Sequence, residues 1–367
     1  MKHIGILGGG QLGRMMALSA KQMGCTVATL DPTPDAPCAQ VADRHIEAEF
    51  SDVESARLLA SESDVVTFEF ENISAETAEA IDEKLPQGTE LLFQTQHRLR
   101  EKALLSTHGL PVAPYRSVRS MEELHEAKEK LGIPFVLKTA RFGYDGKGQH
   151  VVKSESDFAK LLETFEVDEY VAEKWLTFEK ELSVIVVRSE KEVSVFPVSE
   201  NVHENNILHL SIVPARVEDA TADEAVALAK KFAEAINLIG TLAIELFLTQ
   251  DGLIVNELAP RPHNSGHYTL DACETSQFEQ HVRALIGLPL GKTTLLTPVV
   301  MVNILGEHVT ALEEEWSTLS PRTKVHLYGK KDAKRGRKMG HLNILADSIP
   351  EALKEIERLG IWKEKVK

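Results

Sequence analysis

Short apolar runs alternate with amphipathic stretches of helical period along the first third of the chain. His3–Leu7, Thr26–Leu30 and Asp64–Phe70 read as strands, and Arg14–Met23, Ser51–Ser61 and Ser74–Leu85 as helices. Such alternation predicts βαβ units and a parallel sheet. Pro86-Gln87-Gly88 breaks the last helix, and a first domain is expected to end near His97. Helices Arg98–His108 and Met121–Leu131 follow, then a strand at Phe135–Lys138, a glycine loop and a strand at His150–Val152. Helix Asp157–Phe165 precedes strands Tyr170–Lys174, Leu182–Arg188 and Val193–Pro197. The stretch with Glu200, Asn201, His203 and Asn205 reads as a polar loop, and Ala222–Asn237 as a helix.

Two apolar runs, Leu242–Thr249 and Leu253–Leu258, flank Gln250-Asp251-Gly252, which reads as a three-residue hairpin loop with glycine where φ is positive. With Thr249 facing Leu253, counting outward sets Glu245 opposite Glu257 on one face of the pair. At about 4 Å and an effective dielectric of roughly 20, two carboxylates repel by on the order of 4 kcal/mol. Favourable cross-strand pairs return only about 0.2–1 kcal/mol. A positive species is therefore expected between them, and Mg²⁺, held by one or two carboxylates plus phosphates, has the right chemistry. Asn256, Arg261, His263, Asn264 and His267 crowd into the residues that follow.

The length of 367 residues predicts two or three domains. A net charge of −15 argues against a general nucleic-acid or membrane surface. The exception is local, because the basic residues between Arg322 and Lys338 oppose a single acid, Asp332. Cys25, Cys38 and Cys273 are too far apart for CxxC chemistry, and each reads as a small core residue in a reducing compartment. The amino terminus lacks a charged-then-apolar signal pattern and no run approaches the roughly 20 apolar residues of a membrane span. A soluble cytoplasmic protein is expected.

Gly8-Gly9-Gly10-Gln11-Leu12-Gly13 fits G-x-G-x-x-G between a strand and a helix, and Asp31 ends the next strand. Together they are compatible with nicotinamide-dinucleotide binding, but also with a turn used for packing or another ligand. Glu71 and Asn72 follow the third strand, where ligands of open α/β sheets sit, and are candidate contacts or simple turn caps. Lys138 closes a strand before Phe142-Gly143-Tyr144-Asp145-Gly146-Lys147-Gly148, a loop able to cover nucleotide phosphates with backbone N–H groups. No Lys-Ser or Lys-Thr opens a helix there, so it is not a Walker A loop.

The chain resembles the ATP-grasp superfamily and, within it, the N5-carboxyaminoimidazole ribonucleotide synthetases. The resemblance runs nearly end to end and rests on ILGGGQLGRM at Ile6–Met15, GYDGKGQ at Gly143–Gln149, NELAPRPHNSGHYT at Asn256–Thr269 and GRKMGHLN at Gly336–Asn343. It implies an α/β and α+β ATP-grasp architecture: a Rossmann-like pre-ATP-grasp domain over 1–97, a small lid domain over 98–171, and a large carboxy-terminal domain over 172–367. ATP and Mg²⁺ are the implied cofactors. Arg98 and Lys138 would reach phosphates, and Gly143, Tyr144, Asp145, Gly146, Lys147, Gly148 and Gln149 would fold over them. Glu173, Lys174, Trp175 and Leu176 would line the adenine, Glu181 the ribose, and His203 and Asn256 the rest of the pocket. Glu245 and Glu257 would bridge the metal to the phosphates.

The implied reaction joins bicarbonate to 5-aminoimidazole ribonucleotide through carboxyphosphate, releasing ADP and phosphate. Arg261 would clamp bicarbonate, His263 would orient or move a proton, and Tyr144 with Asp145 would handle the aminoimidazole. Gly10, Gln11 and Leu12, with Glu71, Asn72 and Asn264, would face the ribonucleotide, and Lys331, Arg337 and Lys338 would bind its phosphate. The resemblance also implies a homodimer. His97, His108 and His125 lie outside the motifs and are expected at the surface. Two other enzymes compete: a formate-dependent glycinamide ribonucleotide formyltransferase, which shares the ATP machinery, and a nicotinamide-dependent dehydrogenase. A nucleotide-sensing module is the non-catalytic alternative.

Overall fold

The computed structural model describes residues 1–141 and 148–362, and these form three sheets. The first is parallel, in the order Arg44–Ile46, Thr26–Leu30, His3–Leu7 and Val65–Phe68. Helix Gln11–Gln22 starts directly on the glycine turn, three residues before the sequence expectation, and buries Met15, Met16 and Ala20. The same apolar cluster takes in Phe278 and Val282 from helix Gln277–Ile286, and Tyr328 from near the carboxy terminus. The first layer is thus packed onto the rest of the chain rather than tethered to it.

The second sheet is antiparallel, in the order Tyr115–Val118, Tyr170–Lys174, Phe135–Thr139 and Gln149–Val152. Helices Met121–Leu131 and Glu155–Thr164 bury Leu124 and Phe158 with its strands. Each starts on a serine whose hydroxyl accepts a backbone N–H: Ser120 from Glu123 and Ser154 from Asp157. Strands Arg44–Ile46 and Tyr115–Val118 escape the sequence reading, and both are short edge strands. His97, expected at the surface, is only 4% exposed, and its Nε2 lies 2.8 Å from Glu169.

The third sheet runs from Gly252–Ala259 through Gly240–Thr249, Lys180–Arg188, Ser199–Glu204, Ile207–Val213, Val299–Leu305 and Lys338–Leu345 to Thr323–Leu327. Val193–Val195 pairs with Lys180–Arg188 off this path. The segment expected to be a polar loop is therefore a hairpin. Asn205 and Asn206 form its tip with φ of 51° and 63°, conformations that asparagine tolerates better than most residues. Glu200 and Asn201 are buried on internal partners and His203 lines the cavity, so polar residues occupy strand positions that hydropathy assigns to a loop.

Glu245 does pair with Glu257, by a route the sequence count did not contain. The ladder closes one residue tighter at the turn, with Thr249 opposite Gly252, whose φ is 112°. A β-bulge at Asn256 then restores the register, so the carboxylates face each other after all. Helix Asp219–Ala235 supports the strands beneath through Ala225, Ala229, Phe232 and Ala233. Phe232 is 1% exposed. Phe232→Ala is expected to lower stability by about 3–5 kcal/mol in urea unfolding; a loss below about 1 kcal/mol would contradict this packing.

Candidate active site

The three sheets enclose a cavity of about 710 Å³. The glycine turn contributes Gly10, Gln11 and Leu12, and the ends of the parallel strands Asp31 and Glu69. Arg98, Lys138 and Gln149 enter from the second layer. The long sheet supplies Glu181, His203, Glu245, Asn256 and Glu257, with Arg261, His263 and Asn264 beyond its strand end and Lys338 from the far side.

Glu245 and Glu257 sit at the centre. Burial, then the neighbouring Glu257 charge, pushes the Glu245 carboxyl up to about 7. Asn256 Nδ2 donates to Glu245 Oε2 at 3.4 Å, and Arg98 Nη1 donates to Glu257 Oε2 at 3.2 Å. His263 Nε2 lies 3.5 Å from Glu245 Oε1. That imidazole is neutral: burial first, then the Arg261 charge, hold its pKa well below the usual histidine range. Its Nδ1 meets the Ser265 hydroxyl at 2.9 Å and accepts from the Ser265 N–H at 3.4 Å, which leaves the ring proton on Nε2. His203 Nδ1 is 2.5 Å from Glu181 Oε2; burial alone would lower this histidine, but Glu181 and Glu245 outweigh it and raise its pKa. A half-buried carboxylate pair facing into a cavity, with one arginine contact between the two of them, fits a hard divalent cation, whose ligands are oxygens.

Lys138 reaches the cavity from beside Glu173, with Nζ 3.2 Å from Glu173 Oε1. Glu173 is 4% exposed and its other oxygen is 3.1 Å from Lys102 Nζ. The Glu173 carboxylate is thus spent on two lysines, and Glu173 is not among the described residues lining the cavity. Lys174 and Trp175 are exposed and Leu176 half-buried, and none is among the described residues lining the cavity. Gly143, Tyr144, Asp145, Gly146 and Lys147 lie outside the described residues. Gly148 has φ of 72° and its carbonyl accepts from the Thr139 N–H at 2.8 Å, closing the base of that loop.

The glycine fingerprint is filled from within. Glu69 accepts from the N–H groups of Gly10 and, at 2.6 Å, Gly13, while Asp31 accepts from Gly9 at 2.7 Å. Two carboxylates occupy the amides that a dinucleotide pyrophosphate would need. Burial raises the Glu69 carboxyl pKa although both amides lower it. The sequence reading passed over Glu69, which ends a parallel strand where the positional rule would have found it.

Within the basic cluster one residue is corrected. Lys331 is 75% exposed at its side chain and pairs with Asp35 at 2.9 Å, away from the cavity lining. Its neighbour Lys330 turns inward instead, donating to Gln11 Oε1 at 2.6 Å and to the Lys338 carbonyl at 2.8 Å. Burial and then the Arg337 charge push Lys330 down to about 8. Arg337 is half-buried and donates to the Asp332 carbonyl at 3.1 Å.

Arg261 is held by Glu71 through two contacts, Nε to Oε1 at 2.9 Å and Nη2 to Oε2 at 3.1 Å. Glu71 and Asn72 line a small side cavity of about 130 Å³ that shares Arg98, Glu257 and Arg261 with the main one. Asn264 is 8% exposed, and neither its Oδ1 nor its Nδ2 has a hydrogen-bond partner among the described residues. A buried amide left open on a cavity wall is a ready donor–acceptor pair for a ligand.

Comparison with known proteins agrees with this geometry. Family models match a ribonucleotide synthetase pre-ATP-grasp domain over residues 1–90, an ATP-grasp domain over 103–278 and a phosphoribosylaminoimidazole carboxylase C-terminal domain over 299–355. The N5-carboxyaminoimidazole ribonucleotide synthase of Bacillus subtilis (strain 168) is 54% identical over 96% of this chain and 94% of its own length. A solved Staphylococcus aureus N5-carboxyaminoimidazole synthetase complexed with ADP superposes with a TM-score of 0.93 at 42% identity, covering 98% of this chain and 96% of that one. The Aspergillus clavatus N5-carboxyaminoimidazole synthase in complex with ADP and 5-aminoimidazole ribonucleotide superposes with a TM-score of 0.90 at 35% identity, covering 98% of this chain and 97% of that one. With an end-to-end match in sequence and in fold, the chain belongs to the N5-carboxyaminoimidazole ribonucleotide synthase family of the ATP-grasp superfamily.

Proposed function

We propose that the protein carboxylates 5-aminoimidazole ribonucleotide with bicarbonate at the expense of ATP, giving N5-carboxyaminoimidazole ribonucleotide, ADP and phosphate in purine biosynthesis. The observation that carries the reading is the shared strand end: the Glu245–Glu257 pair is followed within a few residues by Arg261 and His263, all lining one cavity. Glu245 and Glu257 would hold Mg²⁺, which supplies charge neutralisation at the β- and γ-phosphates.

Arg98 and Lys138 bring fixed positive charge to the same side as the carboxylates, where the phosphates of ATP belong. Bicarbonate is a poor electrophile because its leaving group would be hydroxide. When the bond between the γ-phosphorus and the β-bridging oxygen breaks and a bicarbonate oxygen takes its place, the leaving group becomes phosphate. Such a transfer needs positioning and electrostatics more than covalent help from the protein. Arg261, steered by Glu71, is set to hold the bicarbonate and then the carboxyphosphate. The neutral His263, with its proton on Nε2, is set to donate a hydrogen bond and not a second positive charge.

The exocyclic amine of the ribonucleotide then attacks the carboxyl carbon, phosphate leaves, and the amine gives up a proton. Tyr144 and Asp145 keep their proposed roles there. Lys338, which lines the cavity, would bind the ribonucleotide phosphate with Lys330 and Arg337 adding positive charge behind it, and the open Asn264 amide is a further contact. With Glu69 on the amides of the glycine turn, the dehydrogenase reading loses its pyrophosphate site. The reading includes a homodimer in the cytoplasm, on the strength of the family.

ADP release is expected to require both bicarbonate and 5-aminoimidazole ribonucleotide in a coupled assay. Dependence on formate and glycinamide ribonucleotide instead would point to the formyltransferase. Glu257→Gln is expected to lower turnover by on the order of 100-fold or more, and near-normal turnover would remove the metal role.

The raised Glu245 pKa also fixes a pH dependence. Between the ordinary carboxyl pKa and about 7 the native protein keeps a proton that the unfolded chain has lost, so this group's contribution to stability falls as pH rises through that window. Glu245→Gln is therefore expected to stabilise the ligand-free protein at pH 8 by on the order of 1 kcal/mol, while erasing the stabilisation that Mg²⁺ with ATP gives the wild type. Thermal unfolding at pH 5 and pH 8 reads both effects, and an unchanged or steeper pH dependence in the variant would contradict the assignment.

A further inference from the structure

Helix Arg98–Thr107 carries three ionised-type side chains inward within little more than one turn, at spacings that put them on one face. Arg98 contacts the Glu257 carboxylate at 3.2 Å. Glu101, 2% exposed, accepts the Leu258 N–H at 2.6 Å, pinning the backbone just after Glu257. Lys102, 1% exposed, sends its ammonium the other way, 3.1 Å from Glu173 Oε2 in the second sheet. The Tyr115 ring lies 6.0 Å from that ammonium. One helix therefore ties the strand that ends in the carboxylate pair to the strands that carry Lys138.

Lys102 has no place in the cavity lining, and neither the sequence motifs nor the proposed chemistry uses it. Burying an ammonium this deeply is unfavourable unless its partner needs it. That partner, Glu173, is shared: Lys138 Nζ lies 3.2 Å from its other oxygen. Burial alone would raise the Glu173 carboxyl, but the charges of Lys138 and Lys102 outweigh burial and keep it ionised. Without Lys102, the whole carboxylate charge would fall on Lys138, drawing its ammonium back and cancelling the charge it offers to the cavity.

We propose that Lys102 is a positioning residue for phosphate binding: by engaging one oxygen of Glu173 it leaves Lys138 aimed by the other, with net positive charge directed into the cavity. The pair of buried lysines on one carboxylate acts as a fixed bracket, and Lys138 is its working end. The inference rests on the proposed binding of ATP phosphates at Lys138, yet it does not require that the acceptor be an aminoimidazole.

Calorimetric titration with Mg²⁺ and a non-hydrolysable ATP analogue, and separately with AMP, tests it on the full-length protein. Lys102→Met is expected to weaken binding of the triphosphate analogue by roughly tenfold and to leave AMP affinity within about twofold, with the loss concentrated in KM for ATP. Lys102→Arg, which keeps the charge, is expected to recover most of the affinity. Equal weakening for both ligands, or triphosphate affinity within about twofold of wild type, would overturn the proposal. If Lys102→Met does not fold, Lys102→Gln, which keeps a hydrogen-bond donor to Glu173 and loses the charge, is judged by the same outcomes. Binding is read without turnover, so a wild type that binds the analogue but carboxylates nothing would refute the proposed reaction and leave the role of Lys102 separately decided.

Discussion

Two carboxylates forced to face each other across a pair of strands set the terms for the rest of this structure. Glu245 and Glu257 are paired in register, and burial with mutual repulsion drives the Glu245 carboxyl up to about 7. The nearby groups relieve the repulsion only in part. Arg98 contacts Glu257, whereas the histidine beside Glu245 is held neutral. The hairpin cannot relax by sliding, because a one-residue slip would turn its buried face outward, and Leu246, Val255 and Leu258 are locked into the same core as Phe232. The fold thus stores an electrostatic deficit that a divalent cation with phosphates can fill.

Around that deficit the cavity is divided by charge. Asp31 and Glu69 form an acidic wall on the first layer, their oxygens already committed to the amides of the glycine turn. Lys338 lines the same cavity with Lys330 on its carbonyl and Arg337 next to it in sequence, and Lys138 with Arg98 gives a second positive site near the carboxylates. A chain of net charge −15 therefore offers two separate positive niches in one pocket. Two phosphorylated ligands can then be held at once with their reactive ends meeting near Arg261 and His263.

Much of this was legible in the sequence where local physics decides. Strands His3–Leu7 and Thr26–Leu30, and helix Met121–Leu131, appear with the expected bounds, since burial and period agree there. The Glu245–Glu257 pairing was reached through two departures that cancel: a turn one residue tighter than expected and a bulge at Asn256. Neither is visible to a count of alternating residues. The Ser199–Val213 hairpin was hidden because its polar residues are used inside the protein: Glu200 pairs with Lys180 and Arg216, Asn201 bonds Ser183 and Ser211, and His203 lines the cavity. The inward turn of Lys330, in place of Lys331, depends on Gln11, which is 319 positions away in sequence. The Glu69 carboxylate on the glycine turn is likewise a long-range contact, and it changes a phosphate-binding signature into a substrate-facing acidic wall.

The central claim is that the carboxylate pair is completed by a metal carrying nucleotide phosphates. The most direct measurement is anomalous diffraction from crystals grown with Mn²⁺ in place of Mg²⁺ and a non-hydrolysable ATP analogue. The account predicts an anomalous peak at about 2.1 Å from oxygens of both Glu245 and Glu257, with phosphate oxygens completing the coordination. A nucleotide bound with its metal away from both carboxylates would contradict it.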